Sequence, residues 1–246
     1  SEPTYNARKP DPSGRAEAST RRRYGTRSAP VPAVTSLRPM VRHTGDMTTV
    51  WFGQGVADDG EFRLCGDVTG KRTLELGVAP TPAGVPVNSV TLAKAGAKAI
   101  AIDPSSDRLA EVRREAEQAA VRVECHEGDL ADLGFATSGS IDLVVSSHTL
   151  DEEDDVPRLF RQVHRVLKPG ASFVLAMAHP VAAMFDSGST TPVRHYGATG
   201  RTISELVMHF ERTNFHVDVM HEVGPIGQRE PLTPAVLLVR ARKQGV

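Results

Sequence analysis

Residues 72–103 read RTLELGVAPTPAGVPVNSVTLAKAGAKAIAID. The segment begins with a short apolar run, Arg72–Leu76, and closes with a second one, Lys98–Ile102, which finishes on Asp103. Between the two runs, Pro86–Ala95 predicts a helix that ends near Gly96. Two buried strands joined by a helix form a β-α-β unit, whose strands lie parallel in one sheet.

The same alternation of strands and helices continues to the end of the chain. Helices are predicted at 106–119, 155–167 and 202–213, and strands at 121–126, 140–145, 171–177, 215–222 and 235–241. Pro169 and Gly170 are expected to end the second of these helices, and Thr202 with Glu205 has the spacing of a capping box at the start of the third. The alternation predicts an α/β fold with a doubly wound, mostly parallel sheet and helices on both faces.

Composition narrows the class of protein. The chain has 246 residues, a formal net charge of -1 and only two cysteines. A charge near zero argues against nucleic acid as a partner, and the cysteines lack the spacing of a disulfide scaffold or a zinc site. No apolar run approaches the ~18–20 residues of a membrane span, and the first residues lack the apolar core of a signal peptide. We therefore expect a soluble, cytoplasmic protein that contacts no membrane.

The first 45 residues differ in composition from the rest. Residues 1–49 hold nine Lys or Arg and four Asp or Glu, together with many Pro, Ser and Thr. Such a segment has little apolar surface to bury, so residues 1–45 are predicted to form a flexible basic tail and 46–246 a single domain. Arg21–Arg23 could contact an acidic surface or RNA, although a solvated arm is the simpler interpretation.

Polar residues follow the predicted strands at their carboxyl ends, where ligands bind in sheets of this type. Asp103 follows the second strand, where a carboxylate can accept hydrogen bonds from a ribose diol or cap the next helix. Asp129 follows the third strand, where it can accept from an amine such as that of adenine or form a turn. Leu130 offers an apolar surface beside it. At this level both alternatives stay open for each aspartate.

Two histidines are candidates for a general base. His148 follows the fourth strand and His179 follows the fifth, and imidazole is the side chain best suited to proton transfer near neutral pH. The alternative for each is a surface or hydrogen-bonded core histidine. The acidic run Asp151–Asp155 precedes a predicted helix, so it indicates a helix N-terminus rather than a metal site, and no metal is expected.

Five motifs follow one another at suitable spacings. They are Thr73–Gly77, Ala101–Asp103, Glu127–Leu130, Ser140–Ser146 and Arg165–Gly170. In this order they resemble the class I S-adenosylmethionine-dependent methyltransferases, most closely the small-molecule branch. The resemblance covers the chain from about Gly66 onward.

The resemblance implies a seven-stranded sheet with an antiparallel last strand, and S-adenosyl-L-methionine as the cofactor of methyl transfer to a small-molecule acceptor. Glu75 and Gly77 would lie at the first cofactor loop. Asp103 would bind the ribose hydroxyls. The remaining implied positions are Asp129 on the adenine amine, Leu130 against the ring, Ser146 near the methionine end and His148 on the substrate side.

One segment departs from the family pattern. After Gly77 the family continues with Gly-x-Gly, whereas this chain has a longer loop up to Asn88 that contains three prolines. Proline removes an amide donor and fixes φ, so this loop cannot approach a ligand as glycine does. The departure motivates an alternative function, a catalytically inactive methyltransferase-like domain that serves binding or assembly.

Two further segments bear on access to the crevice. Residues 181–201 are short and polar, which predicts an open crevice unless the N-terminal arm or a second copy in a homodimer covers it. Trp51, Phe52 and Phe62 precede the first strand and would either form an apolar lid or pack against the edge of the domain.

Overall fold

The fold is given by a computed structural model, which describes residues 49–150, 153–198, 200–228 and 231–245. The predicted tail at 1–45 lies outside the described residues. The helices are α1 (Asp59–Phe62), α2 (Asn88–Lys94), α3 (Ser106–Gln118), α4 (Val156–Val166) and α5 (Ile203–Arg212). The strands are β1 (Arg72–Leu76), β2 (Lys98–Asp103), β3 (Val123–Glu127), β4 (Ile141–Ser147), β5 (Leu167–Ala178), β6 (Phe215–Val223) and β7 (Val236–Lys243).

The strands form one seven-stranded sheet in the order β3-β2-β1-β4-β5-β7-β6. The pairs from β3 to β5 are all parallel, and β7 is antiparallel to both of its neighbours, β5 and β6. This arrangement confirms the predicted doubly wound sheet with an antiparallel last strand. Because β1 lies beside β4, the connections that leave their carboxyl ends run in opposite directions, which opens a crevice between them.

Alternate residues of the central strands pack on opposite faces of the sheet, as the two-residue period of a strand requires. Leu74 and Val144 belong to the cluster that packs under α4 and α5. Leu143 and Val145 belong to the opposite cluster, which contains the segment before β1. Phe52 is fully buried in this second cluster, with Phe62 packed against it, so both side chains serve as core rather than as a lid.

The fifth strand begins earlier than predicted. The helix before it ends at Val166, as expected from the Lys-Pro-Gly sequence, but β5 starts at Leu167 instead of residue 171. Leu167 is already paired with Ile141, and the register then shifts so that Leu143 pairs with Ser172. The Pro-Gly pair therefore sits in an irregularity of the strand, which a sequence pattern alone does not distinguish from a loop.

The structure contains the helix caps that the sequence predicts. Thr202 and Glu205 form the predicted capping box of α5, and the Asp155 side chain accepts a hydrogen bond from the Arg158 amide at the start of α4. The last residue of the acidic run is thus a helix cap, whereas Asp151 and Glu152 lie outside the described residues. Among the helices that the structure describes, none is long and apolar enough to cross a membrane.

Candidate functional site

The loops that follow β1 and β4 make a tight contact at the carboxyl ends of these strands. Gly77 follows β1 with a φ of 75°, and a Cβ at this position would lie 2.5 Å from the Cβ of Thr149. The Thr149 hydroxyl donates to the Leu76 carbonyl at 2.7 Å and lies 2.8 Å from the Ser146 hydroxyl. Gly77 and Ser146 are therefore brought together through Thr149, a residue that the sequence did not single out.

Asp103 is completely buried at the end of β2. Its Oδ2 accepts from the Val78 amide at 2.7 Å, and its Oδ1 accepts from the Ser105 amide at 2.8 Å. The Arg108 guanidinium lies 3.5 Å from Oδ2. The cap of α3 is Ser105, whose side chain accepts from the Arg108 amide, so the alternative of Asp103 as the helix cap is wrong.

The proline-rich loop follows a fixed path over this carboxylate. Its first amide, that of Val78, binds Asp103, and its last, that of Val87, donates to Glu115 of α3 at 2.9 Å. Between these anchors the Thr81 hydroxyl donates to the Val85 carbonyl at 2.6 Å. The loop and α3 line a cleft of about 800 Å³. The proline-rich loop therefore packs against α3, and its backbone covers Asp103.

Asp129 lies on the surface after β3, with 53% of its side chain exposed. Its Oδ1 accepts from the Ala131 amide at 2.8 Å, the geometry of an Asx turn, and its Oδ2 lies 3.7 Å from the Arg158 guanidinium. An ion pair this exposed contributes little to stability. Leu130, beside it, is buried in the main core cluster. Asp129 thus forms the turn that was one of its two alternatives, and its side chain stays exposed.

Glu75 ties β1 to the start of α2. Its side chain is buried, and its Oε2 accepts from the Ser89 amide at 2.7 Å. Burial raises the pKa of this carboxyl from 4.5 to about 7, although hydrogen bonds from Ser89 and Asn88 oppose the shift.

This pKa predicts how stability depends on pH. Because the folded protein holds the Glu75 proton more tightly than the unfolded chain, the free energy of unfolding should fall as the pH rises from 4.5 to about 7. Glu75→Gln does not titrate there. Relative to this variant, the wild type should lose about 3 kcal/mol between pH 4 and pH 8, at about 1.4 kcal/mol per pKa unit. Urea unfolding of both proteins at several pH values measures the difference, and a constant difference would contradict the raised pKa.

The two candidate histidines have different surroundings. His179 is buried; its Nδ1 accepts from the Val181 amide at 3.2 Å, and its Nε2 lies 3.0 Å from Glu222. His148 is half-buried after β4, and its Nε2 lies 2.8 Å from the Phe52 carbonyl. Both ring nitrogens of His179 are therefore engaged within the fold, whereas His148 uses one nitrogen for its contact with the segment before β1.

That segment also binds the end of β4. The Trp51 amide donates to Asn88 Oδ1 at 2.7 Å, and the Trp51 carbonyl accepts from Asn88 Nδ2 and from the Ser147 hydroxyl, each at 3.1 Å. The Trp51 and His148 rings lie 5.8 Å apart. Sequence reasoning missed Asn88, because its partners are separated from it by 37 and 59 residues.

Comparison with known proteins finds similarity to methyltransferases across this edge of the sheet. A model described as a methyltransferase domain matches residues 83–175, a segment that contains Asp103, Asp129 and Ser146. A solved S-adenosylmethionine-dependent methyltransferase from Mesorhizobium loti has a TM-score of 0.58 and 24% identity, over 75% of this chain and 96% of that one. Residues 83–175 therefore match a methyltransferase domain, and the chain has the fold of solved S-adenosylmethionine-dependent methyltransferases.

Other methyltransferases are also similar to this chain. A putative S-adenosylmethionine-dependent methyltransferase from Listeria monocytogenes has a TM-score of 0.58 and 20% identity, over 75% of this chain and 95% of that one. A curated relative, the cypemycin N-terminal methyltransferase of a Streptomyces species, is 32% identical over 132 residues. That match covers 51% of this chain and 49% of the relative, so this chain spans about half the length of the curated relative.

The side chains at this edge of the sheet include groups that can accept hydrogen bonds from an adenosine, but the arrangement is closed. Carboxylates at two neighbouring strand ends can accept hydrogen bonds, and a buried leucine lies next to one of them. Asp103 has no exposed surface, however, and its Oδ2 already accepts from the Val78 amide, so a ribose can reach it only when the residues that cover it move. Among the residues that the structure describes, no group of three or more His, Cys, Asp or Glu could hold a metal ion.

Proposed function

We propose that this protein is an active methyltransferase, which transfers the methyl group of S-adenosylmethionine to an amine of a small acceptor, such as the amino terminus of a short peptide. The observation that carries the proposal is the match of the methyltransferase domain across Asp103 and Asp129. The amine is proposed because the curated relative is named an N-terminal methyltransferase, and an amino terminus is an amine. When bound, the cofactor supplies an electrophilic methyl group on a sulfonium sulfur.

Each residue of the site has one task in this proposal. Asp103 binds the ribose hydroxyls after the proline-rich loop has opened, and Asp129 accepts from the adenine amine. Leu130 flanks the adenine ring. Glu75 and Gly77 fix the start of the loop, and Ser146 supports the methionine end through Thr149.

The covered Asp103 favours a second candidate function. In the closed arrangement, the loop amide occupies the carboxylate that the ribose would need. A loop that never opens would make the domain a catalytically inactive one, kept for binding or assembly. The two functions differ in one observable property, which is whether the folded protein binds the nucleoside part of the cofactor.

Titration calorimetry with S-adenosylhomocysteine distinguishes these functions. We expect binding by the wild type and a loss of roughly tenfold or more in affinity for Asp129→Ala, because a hydrogen bond to a charged group contributes about 1.5–3 kcal/mol. Asp132→Ala is the matched control, since Asp132 is also exposed and lies 3.4 Å from the same Arg158. Its affinity should equal that of the wild type. No heat from a folded wild type would support the inactive domain.

A further inference from the structure

His148 is held in an uncommon backbone conformation at the end of β4. Its φ is 56°, in the left-handed region that costs a residue with a Cβ roughly 1–2 kcal/mol. Its amide nevertheless donates to the Ala176 carbonyl at 2.8 Å, which continues the pairing of β4 with β5 for one residue. Strained positions of this kind persist where the surroundings fix them, and they concentrate at functional sites.

The contact with Phe52 fixes which ring nitrogen carries the proton. The Phe52 carbonyl can only accept a hydrogen bond, so the His148 Nε2, 2.8 Å away, must be the donor. In the neutral ring, Nδ1 then has the free lone pair. Within the described part of the chain, Nδ1 has no hydrogen-bond partner, in contrast to Nδ1 of His179, which accepts from Val181. His148 is thus the candidate histidine that offers an unused acceptor nitrogen.

The segment that holds the ring is itself fixed. Phe52 is fully buried, and both backbone groups of Trp51 are bound by Asn88. A Cβ on Gly53 would lie 2.8 Å from the His148 Nε2, so only glycine lets the chain pass this close to the ring. The carbonyl therefore orients the imidazole in the way that a carboxylate orients the catalytic histidine of other enzymes.

We propose that Nδ1 of His148 is the general base that removes a proton from the acceptor amine. This inference rests on the proposed function. The nitrogen lone pair of the acceptor forms the new N–C bond, and the electron pair of the broken S–C bond stays on sulfur. The proton displaced from nitrogen passes to Nδ1, which leaves an imidazolium with Nε2–H still bound to the Phe52 carbonyl.

The substitution that separates this role from a structural one is His148→Gln. The glutamine amide can donate to the Phe52 carbonyl as Nε2 does, but it offers no base. With an alanine tripeptide that has a free amino terminus as the probe, we expect a roughly 100-fold lower initial rate of methyl transfer for His148→Gln. The affinity for S-adenosylhomocysteine should stay within twofold of the wild type. His216→Gln, on the exposed part of β6, is the matched control and should keep the full rate.

The outcomes are distinct. A purely structural role predicts that glutamine keeps the rate while His148→Ala loses it, and this result would overturn the proposal. A wild type that binds no S-adenosylhomocysteine removes the proposed function as a whole. Ring nitrogen-15 NMR of the wild type is independent of the acceptor: protonation of the neutral His148 ring on Nε2 supports the proposal, and protonation on Nδ1 contradicts it.

Discussion

Replacing Gly77 with alanine is expected to lower the free energy of unfolding by about 3 kcal/mol. The left-handed backbone costs a residue with a Cβ roughly 1–2 kcal/mol, and forcing a methyl group into a packed contact costs about 1–3 kcal/mol more. The contact is with Thr149, whose Cβ would lie 2.5 Å from the new atom. Urea unfolding followed by circular dichroism measures the loss.

Gly84→Ala is the matched control for this prediction. Gly84 has a φ of 83° in the same loop, but no atom lies within 4 Å of its virtual Cβ. Its substitution should therefore cost only the backbone strain, about 1 kcal/mol. Adding Thr149→Gly to Gly77→Ala should produce a favourable coupling energy between the two sites. Equal losses for Gly77→Ala and Gly84→Ala would show that Thr149 does not occupy this space.

Asp103→Ala is expected to have the second large effect, a loss of about 4 kcal/mol in the free energy of unfolding. Its carboxylate accepts from two backbone amides in a fully buried position, and each bond to a charged acceptor contributes about 1.5–3 kcal/mol. The variant should also lose detectable affinity for S-adenosylhomocysteine. Chemical denaturation and titration calorimetry of the same sample measure both effects.

Asp107→Ala is the control at the same end of α3. Asp107 lies in the first turn of this helix and is exposed, so its charge is expected to contribute less than about 1 kcal/mol. If Asp103→Ala were no more destabilising than Asp107→Ala, the bonds to Val78 and Ser105 would not exist in solution.

Local patterns were sufficient for most of the fold. β1 has the predicted bounds, Arg72–Leu76. This short apolar run lies between Lys71 and Gly77, so its sequence predicts a strand and no other element. The start of β5 was missed, since pairing of Leu167 with Ile141 depends on a neighbour 26 positions earlier in the sequence. The short helix α1 was also missed, because a helix of 4 residues has no period to detect.

Less of the candidate site than of the fold could be predicted from the sequence. The strand ends identify Asp103 and Asp129, since parallel strands end at the same edge of a sheet. The path of the proline-rich loop depends on Glu115, which accepts from Val87 across 28 residues of sequence. The contact of Phe52 with His148 spans 96 residues. Contacts between residues so far apart produce no periodic pattern in the sequence. The closed position of the loop and the orientation of the imidazole could therefore be found only in the structure.

A crystal structure with S-adenosylhomocysteine would show directly whether Asp103 and Asp129 bind one adenosine. We expect the ribose hydroxyls within hydrogen-bond distance of Asp103, the adenine amine beside Asp129, and the Val78 amide displaced from the carboxylate. Crystals grown at saturating ligand that still show Val78 bound to Asp103, with no nucleoside at this edge of the sheet, would contradict it.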